Sequence, residues 1–171
     1  MQKYLVVLTG PTGIGKSGIG IKLAQHFNTE IVSSDSRQIF EELTIGTAVP
    51  GADELAAAKH HFIQTHSVKE IYNASRYENE ALDLINSLFE KHDLVLLVGG
   101  SMLYIDAVCN GIDIMPDADP EIRKSLKSKL ESEGLESLRF QLKKLDPDYY
   151  NSVDLKNPNR IIHALEICIM T

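Results

Sequence analysis

The chain has 171 residues, 43% of them apolar, and a formal net charge of −7. That length suits one domain with a small appended piece, and that apolar share excludes a disordered chain. The acidic balance argues against a general nucleic-acid binder, and no apolar run approaches the roughly 18 residues that a membrane span needs.

Met1-Gln2-Lys3-Tyr4 leads straight into an apolar run over residues 4–8, which leaves no room for a signal peptide and reads as a buried parallel strand. From residue 16 to 27, Ile19, Leu23, Ala24 and Phe27 recur at helical spacing, although Gly18 and Gly20 weaken that helix. Residues 30–33 read as a second short strand, 53–59 as a short helix and 61–65 as a strand. Residues 74–91 give the clearest helix, with Tyr77, Ala81, Leu84, Ile85 and Leu88 in one stripe. Asp93 precedes another buried strand over 94–98, which ends at Gly99-Gly100, and a helix follows over 101–109. This alternation predicts an α/β fold, a parallel sheet with helices on both faces. The pattern changes near residues 112–119. Asp119-Pro120 is an N-cap followed by proline at the first helical position, and helices are predicted over 120–133, 135–144 and 158–170, with turns at Gly134, Asp146-Pro147 and Asn157-Pro158. The final apolar helix has no C-cap signal, so a fragment of a longer protein is expected.

Gly10 to Ser17, GPTGIGKS, fits G-x-x-x-x-G-K-S between a strand and a helix. Glycines let successive N–H groups turn inward at phosphate oxygens, and the helix N-terminus adds its positive dipole end. Lys16 supplies a point charge and Ser17 can ligate Mg²⁺. Gly13, Gly15 and Gly18 also imitate a dinucleotide fingerprint, with Asp35 placed 20 residues after Gly15. A Rossmann turn has no use for the Lys16-Ser17 pair, so the phosphate loop is preferred. The motif requires a polyphosphate without naming it. A GTPase would carry Asn-Lys-x-Asp, which is absent, and a motor ATPase would end a strand in Asp where this chain has Gly-Gly. Asp35, after the second strand, is placed beside the loop as a general base, as a magnesium ligand directly or through water, or as a plain Asp-Ser turn. Arg37 and Gln38 have the donors and acceptors to read a base edge.

Six segments in order, GPTGIGKS, SSDSRQIF, TIGTAVP, HHFI, LVGGSMLY and NPNRIIHALEI, resemble the bacterial tRNA dimethylallyltransferase (isopentenyltransferase) family. The resemblance implies transfer of a dimethylallyl group from dimethylallyl diphosphate to the N6 amine of the adenosine 3′-adjacent to the anticodon of tRNA. The loop Gly10, Pro11, Thr12, Gly13, Ile14, Gly15, Lys16 and Ser17 would then cradle an isoprenoid diphosphate with Mg²⁺. Asp35 matches the family's base, and Ser101 its hydroxyl near the reacting groups. Ser36, Arg37 and Gln38 match the segment around the flipped-out base. Arg123, Asn159, Arg160, Ile161, Ile162 and His163 match positions that touch tRNA. This suits the charge distribution: residues 1–119 hold 8 Lys/Arg and 16 Asp/Glu, and residues 120–171 hold 9 and 8.

The resemblance divides the chain into a phosphate-binding α/β domain over 1–115, an incomplete helical tRNA-binding insertion over 116–157 and the start of a further helix at 158–171. It implies a cytoplasmic monomer that touches no membrane. Val49 stands where the family often has lysine, and the family's later segment, with a diphosphate-binding arginine, is missing. Alternatives are an isopentenyltransferase acting on free AMP, a small P-loop kinase with Asp35 as base, and an RNA-binding remnant with an inactive loop. His60, His61 and His66 suit no common zinc spacing and read as structural or surface residues. Lys124, Lys127 and Lys129 read equally as a solvated face or as phosphate contacts, Met102 and Tyr104 as packing, and Cys109 and Cys168 as free thiols.

Overall fold

The computed structural model describes residues 2–112 and 119–171. The chain divides into two compact units, residues 1–113 and 114–171. The boundary expected between residues 115 and 116 lies outside the described residues.

The first unit runs β1(Tyr4–Thr9), α1(Lys16–Phe27), β2(Ile31–Ser33), α2(Ala52–Ala57), β3(His60–His61), α3(Ala74–Phe89), β4(Leu94–Gly99) and α4(Met102–Asn110). Its strands form one parallel sheet in the order β1-β4-β2-β3, with Leu5 level with Val95 and Val32 level with Leu97. Alternation along β4 explains the two layers of helix. Val95 and Leu97 point to one face and join Val32 in a core with Tyr77, Ala81 and Ile85 of α3 and Ile105 and Val108 of α4. Leu96 and Val98 point to the other face and meet Ala24 of α1 together with Ile31. Period-2 side chains buried on both faces are what makes this strand apolar throughout. The glycine that weakens α1 has a place in this packing, since Gly20 is buried and a β-carbon there would lie 3.4 Å from Val98 Cγ2.

The strand expected over 61–65 shortens to His60–His61. Beyond it the chain leaves the ladder through Phe62 and Gln64, both with left-handed φ values of 59° and 52°.

The second unit is helical: α5(Pro120–Glu133), α6(Leu135–Leu145), α7(Pro147–Ser152) and α8(Pro158–Met170). The Asp146-Pro147 turn starts a helix, α7, that the sequence reading missed. Its signal is the one read correctly at Asp119-Pro120, an aspartate cap before proline, and Asp146 Oδ1 accepts from Tyr149 N at 2.8 Å. Helix α8 is not set apart from the others. Ile161, Ile162 and Leu165 are buried with Leu126 of α5 and with Leu138 and Leu142 of α6 in one core. No described helix is long and apolar enough to cross a membrane.

Candidate active site

All strands of a parallel sheet end on the same side, so the turns after β1, β2 and β4 converge there. The turn after β1 is the glycine loop. Gly13 and Gly15 have φ of 84° and 91°, values that L-residues rarely adopt, and they curl the backbone into the start of α1. Gly15 caps that helix with no side chain, which leaves the first N–H groups of α1 to a ligand. The Lys16 ammonium folds back over the loop and donates to the carbonyl oxygens of Gly10 at 2.7 Å and Pro11 at 2.9 Å.

The turn after β2 is held by its own aspartate. Asp35 Oδ1 accepts from the backbone N–H groups of Arg37 at 2.9 Å and Gln38 at 3.2 Å, which fixes the carboxylate at the head of the turn. The turn after β4 crosses close behind it. A β-carbon on Gly99 would lie 2.4 Å from the backbone of Ser34, so only glycine permits this approach. Ser101 sits at the N-cap of α4 but does not cap it. Its hydroxyl instead accepts from Ser36 N at 2.8 Å and donates to Ser36 Oγ at 3.0 Å, joining the two turns. Beneath them Tyr104 stacks on Tyr77 at 4.2 Å, and Tyr77 donates to Ser33 O at 2.8 Å. Burial, and then the Asp35 charge, raise the Tyr104 phenol above its ordinary value.

A cavity of about 260 Å³ opens between these turns. Its lining includes Thr12, Gly13, Gly15, Lys16 and Ser17 of the loop, and Asp35 and Gln38 of the turn after β2. Ile31, Val98, Pro50 and Ile63 add apolar surface to the same lining. Lys16, Ser17, Asp35 and Gln38 are thus brought together as expected. Gly10, Pro11 and Ile14 belong to the loop without lining the cavity, Arg37 is exposed, and Ser101 is bonded to Ser36 outside the lining. Sequence reasoning missed His60, Pro50 and Ile63 as lining residues; their only signal was the HHFI and TIGTAVP segments.

His61 and His66 face carboxylates away from the cavity lining. His61 Nε2 lies 2.6 Å from Glu30 Oε2, and His66 Nε2 lies 3.2 Å from Glu80 Oε2. Among the described residues no group of three or more His, Cys, Asp or Glu side chains can hold a metal.

In the second unit, Asn159, Arg160 and His163 are exposed on α8. Ile161 and Ile162, placed by resemblance on a tRNA-touching stretch, are 0% and 3% exposed, and their side chains belong to the helical core. Arg123 is ion-paired. Its Nη2 donates to Glu166 Oε2 at 3.0 Å and its Nε approaches Oε1 at 2.7 Å, a close charge contact without hydrogen-bond alignment. Glu166 is only 1% exposed, so Arg123 compensates a buried charge. Lys124 and Lys127 are exposed, whereas Lys129 donates to Gln141 Oε1 at 3.0 Å.

The family model described as IPP transferase matches residues 38–171. The chain belongs to the IPP transferase family. It is 52% identical over 167 residues to tRNA dimethylallyltransferase 1 of Bacteroides thetaiotaomicron, covering 98% of this chain and 54% of that one. With the tRNA dimethylallyltransferase of Christiangramia forsetii it shares 52% identity over 171 residues, 100% of this chain and 57% of the relative. The chain therefore spans a little over half the length of these relatives. Among solved structures, the full-length tRNA isopentenylpyrophosphate transferase of Bacillus halodurans aligns over 100% of this chain and 56% of that one, with a TM-score of 0.63 and 34% identity. A eukaryotic dimethylallyltransferase acting on tRNA aligns over 98% of this chain and 41% of that one, with a TM-score of 0.79 and 28% identity.

Proposed function

We propose that this IPP transferase chain serves a tRNA dimethylallyltransferase, which moves a dimethylallyl group from dimethylallyl diphosphate to the N6 amine of the adenosine 3′-adjacent to the anticodon. One observation carries this reading: a single cavity joins a phosphate cradle, apolar walls and a fixed carboxylate. A nucleotide kinase needs the first and the last. Apolar walls in the same cavity suit a short hydrocarbon attached to a diphosphate. The relatives named for this reaction support the same assignment.

The chemistry follows from the residues. The N–H groups of the loop and the Lys16 ammonium bind the diphosphate and stabilise charge as the carbon–oxygen bond breaks. A carbon–nitrogen bond forms as Asp35 takes a proton from the N6 amine, a poor nucleophile without a base. Ser17 and Asp35 present hard oxygen donors on one cavity, a set that fits Mg²⁺ held by one or two protein groups plus substrate phosphates. Magnesium bound there would neutralise the departing diphosphate. Residues Ser36 and Arg37, at the mouth of the Asp35 turn, would meet the flipped-out nucleotide. The exposed Asn159, Arg160 and His163 and the basic face of α5 supply the contacts to tRNA phosphates.

Asp35→Ala tests the base. In a protein of the relatives' length that carries this sequence, transfer to an anticodon stem-loop should fall at least about 100-fold while diphosphate binding persists. Undiminished transfer would remove Asp35 from the role of base.

A further inference from the structure

Gln38 makes five contacts that tie together separate parts of the site. Its backbone N–H donates to Asp35 Oδ1 at 3.2 Å, and its carbonyl accepts from Gln64 N at 2.8 Å. Its side-chain Nε2 donates to Thr47 O at 3.1 Å and Ala48 O at 2.7 Å. Its Oε1 faces Ser33 Oγ at 3.5 Å, at the outer limit of a hydrogen bond. Two carbonyl oxygens in front of one amide nitrogen use both of its protons.

Two of the places reached are strained. Ala48 has φ of 50° and Gln64 has φ of 52°, a region where non-glycine residues persist only when their surroundings hold them. Both strained places adjoin the cavity, since Thr47, Ala48 and Ile63 all line it. A residue that spends both amide protons on the cavity wall has only its Oε1 acceptor to offer a base edge.

We propose that Gln38 is a positioning residue: it clamps the strained 47–48 wall to the turn that carries Asp35, and so shapes the apolar part of the cavity around the hydrocarbon of the substrate. The clamp leaves Oε1 as the part of the amide that can meet a base edge, the contact the sequence suggested. The consequence for the substrate rests on the prenyl diphosphate reading above; the clamp itself does not.

The test uses this chain and two variants, Gln38→Ala and Gln38→Glu. Glutamate keeps the length but turns a carboxylate toward two carbonyl oxygens and cannot donate. Backbone ¹⁵N order parameters of Thr47, Ala48 and Val49 are measured without ligand. They should fall in both variants from the rigid range near ~0.85 toward ~0.6 or below, while the β4 amides stay rigid. The preference for dimethylallyl diphosphate over inorganic diphosphate, measured by calorimetry, should fall about fivefold or more, a factor typical of a lost hydrogen bond. Unchanged order parameters in both variants would overturn the clamp. Loosened order parameters with unchanged preference would overturn the part of the proposal that concerns the hydrocarbon. A wild-type chain without preference for the prenylated ligand would contradict the function proposed above, and the order parameters would still decide the clamp.

Discussion

At the scale of single residues, the site depends on two kinds of constraint. Lys16 and Asp35 carry charge, and Gly99 carries nothing, which is its use. With a β-carbon 2.4 Å from the Ser34 backbone, Gly99→Ala must push β4 and the Asp35 turn apart. We expect a loss of about 1–3 kcal/mol in urea unfolding, together with slower prenyl transfer, since the same displacement moves Asp35 away from the loop. Full stability in that variant would mean that the two turns are not held at this distance. Ser101 breaks a local rule for a related reason: its hydroxyl joins Ser36 instead of capping α4. Departures of this kind concentrate at functional sites, where local preference yields to the geometry of the site.

At the scale of elements, the order of strands and helices was legible because two periods are written plainly. The run Leu94 to Val98 is apolar at every position, and the stripe through Tyr77, Ala81, Ile85 and Leu88 repeats at helical spacing. The phosphate loop and Asp35 were legible too, from motif and from position after a strand. Elements fixed by contact rather than by pattern were not. Helix α7 is short, and the Asp146-Pro147 pair reads equally as a turn. The end of β3 depends on left-handed Phe62 and Gln64, residue types that give no turn signal. The role of Gln38 lies in bonds to residues 9, 10 and 26 positions away, which no local pattern encodes. Burial of Ile161 and Ile162 followed from their helical spacing, but the motif they belong to concealed it. Helix α1 supplies a prediction at this scale. Gly18 lies in its first turns with open space where a β-carbon would be. Gly18→Ala should therefore raise stability by about 0.5–1 kcal/mol, measured by thermal melting, because alanine loses less backbone entropy on folding. A lower melting temperature would mean that this turn needs the freedom of glycine.

At the scale of the whole molecule, Glu30 ties together the end of the first unit's sheet opposite the site. Its carboxylate meets His61 at 2.6 Å and Lys59 at 3.0 Å, with His92 at 3.9 Å. Burial raises its pKa, but the hydrogen bonds and charges of His61 and Lys59 outweigh that and hold it below the ordinary 4.5. Glu80 is lowered in the same way: burial is outweighed by Arg76, Tyr72 and His66. A carboxylate with a depressed folded pKa contributes stability above its unfolded value and loses it as pH falls through the folded one. The melting temperature should thus fall below about pH 4.5, and Glu30→Gln should flatten that fall. An unaltered acid limb in the variant would assign the loss to other groups. The central claim concerns the other end of the sheet, where cradle, apolar walls and carboxylate share one cavity. The most direct measurement is calorimetric titration of the chain with dimethylallyl diphosphate, ATP and inorganic diphosphate, each with Mg²⁺. The account predicts that dimethylallyl diphosphate binds most tightly and that Lys16→Ala abolishes its binding. Tighter binding of ATP would contradict it and make the chain a nucleotide-binding protein of another kind.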